Sequence, residues 1–371
     1  MITQQKNLHL IQLLRGVASI LVVLMHLTVN FSEILNHSYL FGIFYFGGSG
    51  VDIFFVLSGF IITYSHLQHI GNPSATGTFL KKRFIRIYPI YFIIATVFLA
   101  TQLALPAFYR THFDTSIGNL LQTYFLLPEH VMINGVSWTL TNELFFYLLF
   151  TLALIIPDKK YTLYLALAYF IFLAALALTG TDIANGNKYT VLVFHPMNLE
   201  FLLGVLIVLI VKKIPKKITY PILVIGILWF ISGAMLDNNK MIIVPDKVNP
   251  ALNRVILSGI SSFLIILALV KLEITSRIKI NSLFLKLGDA SYSIYLIHLP
   301  LVVAYCKIIA KFNIKSDFTL FALTSIFLIA VCWVGIMIYQ RVEKPLISKL
   351  NKAWLSRSSH DRKSEATKNA G

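Results

Sequence analysis

An arginine and a histidine, Arg15 and His26, interrupt the first long apolar run of the chain, LLRGVASILVVLMHL. Eleven residues of helix turn through about 1100°, roughly 20° from a whole number of turns. Both side chains therefore leave one face, roughly 16 Å apart along the axis, with Ser19 on the same stripe. A histidine is the natural general base near neutral pH, able to take a proton from an attacking hydroxyl. An arginine at the centre of an apolar helix costs about 2.5–3.5 kcal/mol on insertion scales, so it faces a cavity or a partner, or reaches to lipid phosphates.

Other runs carry similar interruptions. FGGSGVDIFFVLSGF holds Asp52 behind Gly47, Gly48 and Gly50, where the carboxylate either pairs with an arginine or orients a catalytic histidine. FLKKRFIRIYPIYF places Arg83 and Arg86 at i and i+3 on one face beside Tyr88, Pro89 and Tyr91. That pair is either a topological anchor or a two-pronged clamp for phosphate. VSWTLTNELFFYLLF sets Trp138 at the interface and Glu143 deeper, with Thr139 and Tyr147 at i−4 and i+4 as its neighbours. LGDASYSIYLIHLPL aligns Ser291, Tyr295 and His298 at i, i+4 and i+7, beside Tyr292. That stripe serves either hydrogen bonding between helices or a groove for a sugar or thioester. Glu343 in RVEKP reads as a structural ion-pair partner.

The elements that position these residues follow from composition. The 371 residues are 57% hydrophobic and 13% charged, which no soluble fold could bury. A bilayer core needs roughly 20 mainly apolar residues per helix, and ten stretches supply them: 8–31, 42–65, 84–105, 136–156, 161–178, 190–211, 219–236, 251–271, 283–310 and 318–339. The expected fold is all-α, one polytopic bundle of about ten transmembrane helices over residues 1–347. Residues 348–371 form a basic tail expected to be disordered. The first run follows Lys6 as a signal peptide would, but no small-residue cleavage site closes it, so it reads as a retained span. The loop 106–135 and the tail are too short for a catalytic domain. Any chemistry must lie among the helices.

The net charge of +16 raises nucleic acid as a partner, but the positions of the charges answer it. With the N-terminus inside, most of the 32 lysines and arginines fall in inside segments and every inside loop is basic. That pattern is an orientation signal placing both termini in the cytoplasm, and no nucleic-acid partner is implied. Cys306 and Cys332 lie within apolar runs, outside any CxxC or His/Cys cluster, so neither a metal site nor a disulfide framework is expected. No residue pattern fixes an oligomeric state.

Taken in order, Arg15 with His26, GVDIFFVLSGFII, RFIRIYP, SWTLTNE, GDASYSIYLIH and VEKP resemble acyltransferase family 3, the membrane O-acyltransferases of bacterial surface glycans. The resemblance runs from the first span to the tenth. It implies a multi-pass protein of the bacterial inner membrane that takes acetyl or another acyl group from acyl coenzyme A. The implied acceptor is a hydroxyl of a polysaccharide, lipopolysaccharide or lipid-linked sugar. The family's arginine and histidine map onto Arg15 and His26, and its RxxR onto Arg83 and Arg86. Many relatives add an SGNH-type domain; this chain resembles the stand-alone form.

On that resemblance, His26, Arg15, Asp52 and Glu143 are the expected catalytic group, with Asp52 or Glu143 fixing the histidine tautomer. Arg83 and Arg86 would hold the coenzyme, and Trp138, Ser291, Tyr292, Tyr295 and His298 the substrate. The rival class is a transporter or flippase whose buried ionisable groups line a substrate or proton path.

Overall fold

The computed structural model describes residues 8–37, 39–105, 114–128, 134–179, 181, 186–238, 248–276, 278–314 and 316–354. The described residues contain ten helices long and apolar enough to cross a membrane, and no strand. The chain is an all-α polytopic bundle.

The bundle begins with α1 (His9–Leu35), α2 (Ser49–His66) and α3 (Thr76–Ala104). A short α4 (Ile117–Tyr124) precedes α5 (Trp138–Ile155), and α6 (Lys159–Leu178) follows. The sixth apolar run is two pieces, α7 (Lys188–Phe194) and α8 (Asn198–Ile210). Pro196 lies between them, and the residue before a proline is driven out of the helical region: His195 is extended, with ψ 132°. α9 (Thr219–Asn238) and α10 (Ala251–Thr275) come next. The ninth run also divides, into α11 (Ser282–Asp289) and α12 (Ser291–Lys311) about Ala290. The last helix, α13, runs from Asp317 to Trp354. Residues 348–354 of the expected tail are therefore helical, and 355–371 lie outside the described residues.

Contact between membrane helices comes from close backbone approach rather than from hydrophobic burial, because lipid tails are as apolar as leucine. α2 and α8 make the most extensive contact of the bundle. Gly59 and Gly204 form its seam: a Cβ on Gly59 would strike the Phe201 carbonyl, and one on Gly204 the Val56 carbonyl. α1 lies against α12, α11 and α2, which brings the Arg15 and His26 face onto the SYSIYLIH stripe.

The described part of the loop after α3 folds back along the bundle. Ser116 caps α4, and the segment is tied to α3 by hydrogen bonds from Tyr91 Oη to Thr123 O at 2.8 Å and from Tyr88 Oη to Phe125 O at 3.1 Å. Tyr88 is two residues beyond Arg86, so this loop reaches the depth of the functional residues.

Two π-helical turns bend the bundle at charged residues, Val255–Gly259 directly after Arg254 and Tyr339–Glu343 ending at Glu343. Such single wide turns recur at functional positions, where they re-aim a side chain.

Candidate active site

Residues of α1, α2, α3, α5 and α12 line a partly open cavity whose space, counted out to its mouth, is about 870 Å³. Arg15, Arg83, Arg86, Glu143, Ser291, Tyr292 and Tyr295 of the expected site line it, together with Ser58, Thr139 and Tyr147. Its walls hold three guanidinium groups and one carboxylate.

The three cations are held differently. Arg86 Nη1 pairs with Glu343 Oε1 at 2.5 Å, and that carboxylate, fully buried, also accepts from Ser293 Oγ at 2.6 Å. The Arg86 guanidinium lies over the Tyr292 ring, 5.4 Å from its centroid. Its charge is thus compensated within the protein. Arg83 stands between the Phe79 and Tyr147 rings, 5.6 Å from each centroid, and its buried Nε has no hydrogen-bond partner. Arg15 donates from Nη2 to Ser291 Oγ at 3.1 Å. Among the described residues neither Arg83 nor Arg15 has a carboxylate within ion-pair distance. The i, i+3 pair that looks equivalent in sequence divides into one neutralised arginine and one left open to the cavity.

Glu143 accepts from Tyr147 Oη at 2.6 Å and Ser58 Oγ at 3.0 Å through the same oxygen. Tyr147 is the i+4 neighbour expected from sequence. Thr139 instead shares a 2.9 Å hydrogen bond with Tyr295 Oη.

His26 does not line this cavity; it stands against His298, with His26 Nδ1 and His298 Nε2 3.2 Å apart. Tyr295, which does line the cavity, has its ring centroid 5.6 Å from that of His298. The backbone dictates the tautomers. His298 Nδ1 lies 2.6 Å from Tyr295 O and must donate to it, leaving a lone pair on Nε2. His26 Nδ1 lies 3.0 Å from Val22 O, so its proton is shared between that carbonyl and His298. The lone pair of His26 is then on Nε2, the position of a general base.

The expected contact of Asp52 or Glu143 with His26 is therefore replaced by a second histidine. Asp52 is fully buried and belongs to another cluster. It receives Arg254 Nε at 2.9 Å and Nη2 at 2.8 Å, while Nη2 also reaches Gly48 O at 2.9 Å. Of the two readings of Asp52, the geometry matches pairing with an arginine. Glu200 lies in the same cluster, fully buried.

Trp138 packs edge-on against Phe55 at 6.1 Å and does not line the cavity. The bond that anchors its helix is unusual. Pro300 has no N–H for the carbonyl four residues earlier, and Asn134 Nδ2 fills that vacancy at Leu296 O, 2.9 Å away. The start of α5 is thereby fastened to the middle of α12.

Sequence reading missed Ser58, Arg254, Glu200 and the histidine pairing. Glu200, in the middle of the run 190–211, and Arg254, near the start of the run 251–271, each carried a signal as a charge within an apolar run. Ser58 carried none. Among the described residues no group of three His, Cys, Asp or Glu side chains converges as a metal site.

The sequence profile of a family described as an acyltransferase domain, acyltransferase family 3, matches residues 8–338. The exopolysaccharide production protein ExoZ of Rhizobium meliloti (strain 1021) is 27% identical over 317 residues, which is 82% of this chain and 91% of that protein. Nodulation protein 10 of Rhizobium leguminosarum bv. viciae is 33% identical over 132 residues, 31% of this chain and 35% of that protein. Acyltransferase MdmB of Streptomyces mycarofaciens is 35% identical over 114 residues, 29% of this chain and 28% of that protein. No solved structure shows a significant match.

Proposed function

The chain belongs to acyltransferase family 3, and from that premise we propose that this multi-pass membrane acyltransferase moves an acyl group, acetyl in the simplest case, from acyl coenzyme A to a hydroxyl of a surface glycan. The observation that carries the reading is the cavity whose arginines Arg15 and Arg83 have no acidic partner among the described residues, lying one tyrosine away from a histidine pair with a free Nε2. An anionic donor fits the excess positive charge, and the base fits an acceptor hydroxyl.

In this reading Arg83 meets the donor's phosphates, with Arg86 holding the wall through Glu343. Arg15 lies deeper and supports the thioester oxygen as negative charge develops on it. His26 Nε2 takes the proton from the sugar hydroxyl, and the alkoxide oxygen attacks the thioester carbonyl. The new O–C bond forms as the C–S bond breaks, and the coenzyme A thiolate recovers the proton from His26. His298 receives the Nδ1 proton's hydrogen bond throughout, which keeps Nε2 as the basic atom. Glu143, held by Ser58 and Tyr147, offsets part of the cavity's charge. The basic loops support an orientation with both termini in the cytoplasm, and in this reading the membrane is the inner membrane. The similarity to ExoZ, an exopolysaccharide production protein, supports a polysaccharide acceptor.

The test is mass spectrometry of surface glycans from cells with and without the gene. An O-acyl group is lost with the gene, and is restored by the wild-type chain but not by His26→Ala. An unchanged acyl pattern, or full restoration by His26→Ala, removes the proposal.

A further inference from the structure

A second hollow, of about 1320 Å³, lies on the outside of the bundle between α3, α5, α7 and the α4 segment. Its walls are apolar: Leu144, Phe145 and Leu148 of α5 face Phe125, Leu127 and Leu192. It opens away from the protein, since Leu148 is 61% and Phe125 55% exposed. On a membrane-spanning surface that opening faces hydrocarbon. Its charged lining residues are both basic, Lys81 and Arg83, and they lie at one end. There Lys81 Nζ sits over the Trp354 ring, 5.1 Å from its centroid, at the end of α13. From Leu80 to Tyr88 the groove follows eight residues of α3, roughly 12 Å.

Two residues, Arg83 and Tyr147, line both this groove and the cavity of the active site. Their side chains stand between the groove and the proposed reaction chamber. An occupant must therefore be apolar along most of its length and anionic at one end. It must also be able to place a headgroup beside Tyr147, next to the donor phosphates assigned to Arg83. None of the described lining residues is acidic, so the lysine at the rim has no carboxylate partner among them.

We propose that this groove binds the hydrocarbon chain of a phosphate-bearing lipid of net negative charge, its phosphate on Lys81, and that the sugar acceptor reaches the cavity attached to that lipid. The second half rests on the transfer reaction proposed above; the binding site does not. A bilayer lipid supplies both parts of the ligand, and a lysine near the membrane surface recognises its phosphate electrostatically. Tyr147, bonded to Glu143, is the side chain that a sugar passing between the two spaces would have to displace.

The experiment uses the purified full chain in lipid nanodiscs with phosphatidylglycerol carrying a photoreactive group in its acyl chain, and the phosphatidylcholine counterpart. The expected result is labelling concentrated on residues 141–148 and 121–128, stronger for the anionic probe. Lys81→Ala should lower labelling by the anionic probe roughly fivefold, the effect of one juxtamembrane basic residue, and Leu148→Trp should remove it by filling the groove. Lys82→Ala, an adjacent lysine outside the groove lining, should leave it unchanged. Equal labelling by both probes, or labelling spread evenly around the bundle, overturns the site. Acetyl transfer is then measured with sugar on a polyprenyl phosphate and with the same sugar free in solution. Loss of transfer to the lipid-linked sugar in Leu148→Trp, with transfer to free sugar retained, supports delivery on the lipid. Equal transfer to both acceptors in Leu148→Trp overturns delivery, whereas groove labelling without transfer to any acceptor sinks the transfer reaction alone.

Discussion

Replacing Arg83 and Arg86 one at a time by alanine should give opposite phenotypes, although the two residues sit three apart on one face of α3. Arg86→Ala leaves Glu343, with no side-chain exposure, holding only Ser293. Breaking a buried pair by removing one partner costs about 3–5 kcal/mol, and because the Arg86 side chain keeps 31% exposure the lower end applies. At roughly 2–4 °C per kcal/mol, a loss of about 3 kcal/mol lowers the apparent Tm by roughly 6–12 °C. Arg83→Ala strands no carboxylate, since none pairs with it among the described residues, so its Tm should stay near wild type. What it loses is a charged hydrogen bond to the donor, about 1.5–3 kcal/mol, or roughly 10- to 150-fold in Kd for acyl coenzyme A. Thermal unfolding in detergent and calorimetric titration with a non-hydrolysable acyl coenzyme A read the two effects separately. Arg86→Met combined with Glu343→Leu should recover stability, because replacing both members of a buried pair by apolar residues is often neutral. Equal destabilisation by both single variants, or a stable Arg86→Ala that has lost donor binding, would refute the division of labour.

Three further outcomes follow from the same geometry. His298→Phe should lower kcat roughly 100-fold with little change in donor affinity, the loss of an oriented base, as read by steady-state transfer of labelled acetyl. Arg254→Ala should strand the buried Asp52 beside Glu200 and reduce the yield of folded protein, whereas Asp52→Asn with Arg254→Gln should fold better than Arg254→Ala, by size-exclusion recovery. Gly59→Ala should push α2 off α8, because its Cβ meets the Phe201 carbonyl, and cost about 1–3 kcal/mol or more in thermal stability.

Much of the fold was legible because membrane helices advertise themselves by length and apolarity, and the ten runs correspond to the ten membrane-length helices. The interruptions were less legible. Pro196 marks the break between α7 and α8, but a hydropathy window averages across it. The division at Ala290 has no proline or glycine at the residue itself, and arises where α11 ends and α12 restarts against α1. The folding back of residues 114–128 depends on Tyr88 and Tyr91 donating to backbone carbonyls of that loop, which no local pattern announces.

At the site, helical spacing put Ser291 and Tyr295 on one face, and both line the cavity with Arg15, because periodicity along one helix fixes which residues share a face. It is silent about what stands opposite. His26 and His298 are 272 positions apart and Asp52 and Arg254 are 202 apart, so their pairing is a property of helix packing alone. Arg254 stands near the start of the run 251–271, where the sequence offers it no partner. In the structure it is part of α10, just before the π turn, and reaches Asp52 and Gly48.

The most direct measurement places the purified chain in proteoliposomes with labelled acetyl coenzyme A on the face bearing the basic loops and a lipid-linked glycan acceptor in the bilayer. Label should appear on the acceptor with release of coenzyme A, and His26→Ala should abolish this while binding the donor as tightly as wild type. Undiminished transfer by His26→Ala, or acceptor movement across the membrane with no consumption of thioester, would contradict the mechanism.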